Sequence, residues 1–186
     1  MKIKLLQAKK VVYKYESASG MYLLDVAYKL KTPSDITLTG SNYTSYFDPR
    51  LYYDKYDSKG KTLQIRTDAD KIVYLWSYNY QYPIAKIENA TYSVVAGILG
   101  QTLIDRVAAA DPPASGDLTA INNLRSNANL QNDLITTYTY KPLYGMLTMT
   151  DPRGVVTEYT YDTFGRLQKV TKAGRVIETY TYNYKN

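Results

Sequence analysis

The sequence predicts a mainly β fold built from antiparallel hairpins. The tripeptide Tyr-Thr-Tyr occurs three times with a spacing of 21 residues, at positions 138–140, 159–161 and 180–182. A fixed period near this length is typical of stacked repeat units. Tyr, which packs well on a pleated surface, supplies 22 of the 186 residues, against two Phe and one Trp. Apolar and polar residues alternate along residues 22–31, as on a strand with one buried face.

The N-terminal region predicts short strands separated by turn residues. Two strands are expected in the first 31 residues, joined by a hairpin loop at residues 17–20. The segment 32–35 contains Pro33 and is expected to break the pattern before a short strand over 36–39. A polar loop over 40–48 ends at Asp48-Pro49, which favours a turn, and extended structure is expected again over 51–54.

A further hairpin is predicted from Lys61–Thr67 and Lys71–Tyr82, joined at Asp68-Ala69-Asp70, and Pro83 is expected to end it. Its second arm places a stripe of aromatic residues on one face: Tyr74, Trp76, Tyr78, Tyr80 and Tyr82. If exposed, the stripe is a candidate platform for glycan rings or a protein partner. If buried, it is the core of the sheet, which is the commoner role of such a stripe.

The composition changes after Asn89 and predicts a small helical insertion. Helices are expected over about 92–99 and 101–110, and a third from about 115 to 126, with apolar residues on its inner face. The expected organisation is therefore an N-terminal β region over 1–90, an insertion over 91–132, and C-terminal hairpins over 133–186. These three parts are expected to form one continuous structural domain.

The composition excludes several kinds of chemistry. The chain has no Cys and no His, which excludes disulfides, zinc sites with such ligands and catalytic triads that need imidazole. No cofactor or metal is expected. No apolar run is long enough to span a membrane, and the N-terminus does not have the pattern of a signal peptide. The net charge of +6 comes from scattered Lys and Arg, so nucleic-acid binding is only the second alternative.

Four carboxylates form the main alternative site. Asp54, Asp57, Asp68 and Asp70 lie close together in the sequence beside the aromatic stripe. Paired carboxylates at about 5–10 Å can act as the acid and base of a glycoside hydrolase. All four lie at predicted turns, where Asp has a common structural role. The enzyme hypothesis therefore stays an alternative to a non-catalytic function.

The second Tyr-Thr-Tyr copy extends into a longer motif, Tyr159-Thr160-Tyr161-Asp162-Thr163-Phe164-Gly165-Arg166-Leu167. This motif resembles the YD repeat of Rhs-type proteins, whose pattern is Tyr-x-Tyr-Asp-x-x-Gly-Arg-Leu. A partial match over 56–63 has Lys61 in place of Arg, the copy at 138–145 lacks the Asp, and Asp151-Pro152-Arg153-Gly154 resembles an additional turn. The Tyr-rich C-terminus is similar to the C-terminal region of large Bacteroidetes surface proteins of this class.

The resemblance implies a fold and a function. Each unit is expected to be a hairpin in which Asp accepts backbone N–H bonds and Gly supplies a positive φ. Such hairpins stack in the family into a curved sheet that can enclose a cargo. The motif residues Tyr159, Tyr161, Asp162, Gly165, Arg166 and Leu167 are therefore expected to be structural. The resemblance implies a surface or secreted module that packs on upstream repeats, and exposed strand edges are expected to permit a homodimer.

Overall fold

The computed structural model describes residues 2–5, 8–31, 34–37 and 45–183, with the backbone alone for 2–5 and 34–37. The chain divides into two compact units, Met1–Ile72 and Val73–Asn186. Antiparallel strands dominate both units, which confirms the predicted mainly β class. Among the residues described, no helix is long and apolar enough to cross a membrane.

The first unit consists of strands β1 to β6. Their bounds are β1 Lys2–Leu5, β2 Lys9–Glu16, β3 Met21–Leu30, β4 Ser34–Thr37, β5 Phe47–Tyr56 and β6 Thr62–Arg66. Strands β1 and β4 pair with each other. Strands β2, β3, β5 and β6 form an antiparallel series in that order, and residues 17–20 form the predicted hairpin turn between β2 and β3.

Two predictions for the first unit differ from the structure. Ser34 and Asp35, expected in the break over 32–35, belong to β4, which pairs with β1, and residues 32–33 lie outside the described residues. Asp48-Pro49 lies inside β5, where Pro49 is opposite Tyr28. The register shifts between Ala27 and Tyr28, and such a bulge accommodates a residue that has no N–H to donate. Residues 38–44, which include part of the predicted loop, lie outside the described residues.

The second unit begins within β7 and contains the three α-helices of the described residues. Its strands are β7 Lys71–Ser77, β8 Tyr82–Glu88, β9 Leu134–Lys141, β10 Gly145–Thr150, β11 Val156–Tyr161, β12 Leu167–Lys172 and β13 Arg175–Thr179, adjacent in chain order. Three helices follow β8: α1 Tyr92–Leu99, α2 Gln101–Ala109 and α3 Ser115–Asn122. Short 3₁₀ turns at 123–126 and 128–130 lead into β9, so the predicted helical insertion is confirmed.

The helices cover one face of the strands in the second unit. Val73, Leu75 and Ser77 alternate as buried residues along β7, and the Ser77 hydroxyl donates to the Val107 carbonyl of α2 at 2.7 Å. Ile87 and Ile135 are opposite each other and fully buried. We call this side the helix face. Burial of these aliphatic side chains stabilises the second unit.

Arg125 joins the helical insertion to the hairpins. Its guanidinium donates to the carbonyls of Thr150 and Asp151 at 2.9 and 3.1 Å, and to the Thr137 hydroxyl at 2.9 Å. It also donates to the Asn122 side-chain oxygen at 2.7 Å. Burial lowers the pKa of Arg125, and the nearby Asp151 carboxylate opposes that change. Arg125 belongs to no motif, so its role could not be predicted from the sequence.

The long predicted arm Lys71–Tyr82 is not one strand. β7 ends at Ser77, and the chain reverses through Tyr78, Asn79 and Tyr80, which all have positive φ values of 53–62°. The amides of Asn79 and Tyr80 donate to the carbonyls of Ala110 and Ala108 near the end of α2. These tertiary bonds offset the cost of the left-handed backbone. β8 then begins at Tyr82 and contains Pro83, so Pro83 follows a turn and does not end a strand.

The third Tyr-Thr-Tyr copy also differs from its prediction. The C-terminal hairpins are expected over 133–186, but β13 ends at Thr179 and residues 180–182 follow it outside the regular strand. Tyr180 nevertheless donates its amide to the Gln168 carbonyl at 2.9 Å, so this segment stays next to β12. Tyr184 lies outside the described residues.

Candidate functional site

The motif turn at Asp162 is held by its own carboxylate. Oδ1 accepts the amides of Phe164 and Arg166 at 2.9 Å each, and Oδ2 accepts the Arg166 Nε at 2.7 Å. The Asp162 amide donates back to the Arg166 carbonyl, and Gly165 has a φ of 78°. Hydrogen bonds from the Arg166 amide and guanidinium hold the pKa of Asp162 below its usual value. The polar groups of Asp162 are thus used within the turn.

The same turn occurs at two other places. Asp57 Oδ1 accepts the amides of Lys59 and Lys61 at 2.8 Å each. Asp151 Oδ1 accepts the amides of Arg153 and Val155 at 2.9 Å each. Gly60 and Gly154 occupy the turn position equivalent to that of Gly165, with φ values of 76° and 81°. The Asp-x-x-Gly spacing alone therefore predicted the local geometry, since every bond is closed within five residues.

The Asp57 turn differs from the motif in one respect. Asp57 Oδ2 is buried and has no hydrogen-bond partner among the described residues, whereas Asp162 Oδ2 accepts the Arg166 guanidinium. Lys61 stands at the position equivalent to Arg166. The planar guanidinium reaches both oxygen directions of a carboxylate more readily than an ammonium group does. The Lys for Arg replacement thus leaves the turn backbone unchanged and removes the bond to Oδ2.

The last tyrosine of each Tyr-Thr-Tyr copy bonds to a neighbouring strand. The Tyr161 hydroxyl donates to the Met146 carbonyl at 2.8 Å, and the Tyr182 hydroxyl to the Leu167 carbonyl at 2.7 Å. In each bond the tyrosine follows its acceptor residue by 15 positions, so the same bond recurs from one Tyr-Thr-Tyr copy to the next. Tyr140 donates in the same way to Pro83, and Tyr56 to Leu24. Burial raises the pKa of Tyr56 and of Tyr140 to about 12, so both hydroxyls remain donors in moderately alkaline solution.

The repeat tyrosines share the face opposite the helices. Cross-strand partners lie on the same face, and Tyr138 is opposite Met149, which is opposite Thr157. Tyr159 is two residues beyond Thr157 and is opposite Val170, which is buried. We call this side the tyrosine face. Val170 and Thr157 are both buried on this face, to which the motif contributes Tyr at alternate positions.

Glycines allow close contacts with these rings. A Cβ at Gly145 would lie 2.5 Å from the Tyr161 hydroxyl oxygen, and one at Gly165 would lie 3.3 Å from the Tyr144 ring. The rings of Tyr144 and Tyr161 are in edge contact at 6.3 Å. Successive units therefore fit together through a glycine of one unit and a tyrosine of the next.

The predicted aromatic stripe is not brought together as one surface. Tyr78 is buried in the turn, where its hydroxyl oxygen accepts the Tyr140 amide at 2.9 Å. Tyr82 stacks on Tyr140 with ring centroids 4.8 Å apart, and Tyr80 is half-buried in the same turn. Tyr74 and Trp76 alternate with the buried residues of β7 and are half-buried on the tyrosine face. The stripe prediction treated the turn as strand, because the turn contains no Gly.

The four carboxylates of the alternative site have separate surroundings. Asp54 forms an ion pair with Arg66 at 3.0 Å and accepts the Gln64 amide at 3.0 Å. Asp57 closes its turn, as described above. Asp68 and Asp70 lie in the turn between β6 and β7, where the Thr67 hydroxyl accepts the Asp70 amide. Within the described part of the chain, no three acidic side chains are grouped as a metal site would require.

Comparison with known proteins identifies the C-terminal hairpins. Residues 144–177 match the family described as RHS Repeat, which covers β10 to β13. This segment is an RHS repeat. The match contains the Asp151 and Asp162 turns and the Tyr161 hydroxyl bond, so the RHS repeat corresponds to the geometry above. No curated protein matches the chain.

The solved structures that match this chain are of proteins far longer than it. Two crystal structures, of TcdB2-TccC3-Cdc42 and of TcdB2-TccC3 without the hypervariable C-terminal region, each match at 15% identity and a TM-score of 0.49. A Tc holotoxin pore of Photorhabdus luminescens matches at 15% identity and a TM-score of 0.48. Each match covers 97% of this chain and 8% of the other, so this chain spans a small part of the proteins it matches.

Proposed function

We propose that this chain is a non-catalytic structural module that packs on neighbouring RHS repeats of the same polypeptide. The observation that carries the proposal is the tyrosine hydroxyl bond that recurs with an identical span at Tyr161 and Tyr182. Each such bond ties one unit to the strand before it. The carboxylates of Asp57, Asp151 and Asp162 are likewise used in turns, which favours this function over a glycoside hydrolase. A cell-surface or secreted location accords with the proposal.

The outer edge of β13 is the place where a further unit would add. Its five residues are exposed, and among the described residues β13 pairs with β12 alone. Lys169 is opposite Thr179 as Thr148 is opposite Glu158, so the pairing of β13 repeats that of β11 at this end, before a register shift after Val170. Asn183 stands one period after Asp162. The same edge can pair with a second copy of the chain, which would give the homodimer.

Adding one unit tests the packing proposal. A second copy of residues 162–182, inserted between Tyr182 and Asn183, supplies a complete turn, a return strand and another Tyr-Thr-Tyr. Because stability in stacked repeats grows with each interface, we expect a higher Tm and a larger urea m-value in a single transition. Thermal and urea unfolding followed by circular dichroism measure both quantities.

The matched control carries Ala in place of Asp and Gly in the inserted turn. It has the same length and nearly the same composition, so it should fail to raise the Tm. An inserted unit that unfolds separately from the rest, or raises the Tm no more than this control does, contradicts the proposal. Analytical ultracentrifugation of both proteins shows whether the added unit prevents two copies from pairing through the edge of β13.

We also propose a binding role for the half-buried pair Tyr74 and Trp76. They lie on the tyrosine face, where burial raises the pKa of Tyr138 and the nearby Lys86 ammonium opposes that change. The ion pair of Lys86 with Glu88 at 2.8 Å adds polar groups to that region. Aromatic rings next to charged side chains suit a glycan or a peptide.

A glycan array probed with the full chain and with Trp76→Ala tests this second proposal. We expect binding to a small set of glycans that falls at least about tenfold in the variant. A Trp76→Phe variant keeps a ring and serves as the control. Equal signals for the chain and for Trp76→Ala, or none for either, would rule out a glycan platform at this position.

A further inference from the structure

Three hairpin turns of the second unit lie at one end of its strands. They are residues 78–81 between β7 and β8, 142–144 between β9 and β10, and 162–166 between β11 and β12. Alternate connections of an antiparallel series lie at the same end. The contact of Gly165 with the Tyr144 ring confirms that two of these turns are neighbours. We call the last two turns, with the segment 180–182, the turn end.

Leu143 lies at the tip of its turn, and its apolar side chain projects into solvent. Its side chain is 99% exposed, and its φ of 68° is left-handed. A Leu in that conformation costs about 1 kcal/mol relative to Gly, which most turns of this type use. Burial within the described structure does not offset that cost. A strained and exposed apolar residue therefore indicates a use outside the chain.

Phe164 projects from the adjacent turn and is 75% exposed. The turn geometry does not require an aromatic residue there, because the two equivalent turns carry Lys59 and Arg153 at this position. Two neighbouring turns thus place a large apolar side chain at the tip. Arg166 lies 5.2 Å from the Phe164 ring, behind the tip.

Tyrosines and cations form a second layer behind these tips. Tyr144 and Tyr182 are 36% and 40% exposed. The Lys141 ammonium lies 3.6 Å from the centre of the Tyr144 ring, and the Arg166 guanidinium lies 4.2 Å from that of Tyr182. Apolar tips in front of tyrosine rings and cations reproduce the order of groups at a membrane interface, from acyl chains to headgroups.

We propose that the turn end binds the surface of a phospholipid bilayer, with Leu143 and Phe164 inserted at the boundary between headgroups and acyl chains. A protein partner would need a contiguous patch or groove, whereas these side chains project singly from convex turns. The net charge of +6 favours a surface that contains anionic lipid. The binding is peripheral and independent of the packing on further repeats.

Vesicle sedimentation with the full chain tests the proposal. The probes are vesicles of phosphatidylcholine alone and vesicles that also contain phosphatidylserine. We expect the chain to bind both and to prefer the anionic ones. The double variant Leu143→Gly/Phe164→Ser should bind at least about tenfold more weakly, because each tip loses its apolar side chain.

Two features of the design separate binding from folding. Leu143→Gly relieves the left-handed strain, so it should raise the Tm while it weakens vesicle binding. Val176→Ser removes an apolar side chain that is 56% exposed near the opposite end of β13, and it should leave binding within about twofold. A double variant that sediments as the unchanged chain does, or a chain that sediments with neither vesicle, overturns the proposal.

Insertion depth gives an independent readout. In a Trp76→Phe background, Phe164→Trp places the single Trp at the tip. Vesicles with brominated acyl chains should then quench its emission, whereas a Trp at position 76 should be quenched much less. Binding without quenching at position 164 would mean that charge alone holds the chain, and it would refute insertion. Binding to a soluble protein through these tips, without vesicle binding, would refute it as well.

Discussion

Replacing Gly145 by Ala should lower the free energy of unfolding of the second unit by about 3 kcal/mol. The φ of Gly145 is 148°, which side chains rarely adopt, and its added Cβ would lie 2.5 Å from the Tyr161 hydroxyl oxygen. Relief of this contact moves the ring and breaks its bond to the Met146 carbonyl. Urea unfolding followed by the fluorescence of Trp76 measures the change.

Two variants separate the strain from the clash. Gly154→Ala meets nothing within 4 Å but has a φ of 81°, so it should cost only about 1 kcal/mol. Tyr161→Phe removes the hydroxyl and should also cost about 1 kcal/mol. Because Phe lacks the atom that clashes, Gly145→Ala with Tyr161→Phe should cost clearly less than the two single changes added together. Additive costs would show that the ring and the glycine are not coupled.

The sequence predicted the parts of the site whose contacts are local. The Asp162 turn closes its bonds within five residues, so the spacing of Asp and Gly is enough to specify it. The hydroxyl bond of Tyr161 spans 15 residues and depends on the register of β10 and β11, including a bulge near Met146. A pattern of alternate tyrosines predicts which face the rings share but not which carbonyl each hydroxyl reaches.

Tertiary contacts account for the largest error in the sequence analysis. The turn at Tyr78–Tyr80 contains residues that favour strands, and its amides are satisfied by carbonyls near the end of α2, about 30 residues away. The helices themselves were predictable, since they need only a change of composition and an apolar periodicity. The attachment of the helices to the strands was not predictable, because it depends on Ser77 and Arg125, which belong to no motif in the sequence.

Replacing Arg125 by Met should destabilise the second unit by about 3 kcal/mol. The Met side chain keeps much of the apolar volume but leaves the Thr150 and Asp151 carbonyls and the Asn122 amide oxygen without this donor. These acceptors belong to both the insertion and the hairpins, so the change should loosen the two together. Thermal unfolding and hydrogen exchange of the Thr137 and Val155 amides report the global and the local effect.

Arg106→Met is the matched control for this prediction. Arg106 pairs with the carboxylate of Asp117, but more than half of the Arg106 side chain is exposed and both partners belong to the insertion. Solvent can replace its bonds, so its loss should cost far less than the loss of Arg125. Arg125→Lys should fall between the two, because an ammonium keeps the charge but cannot serve all these acceptors at once. Equal losses for Arg125→Met and Arg106→Met would mean that the insertion is held by its apolar contacts alone.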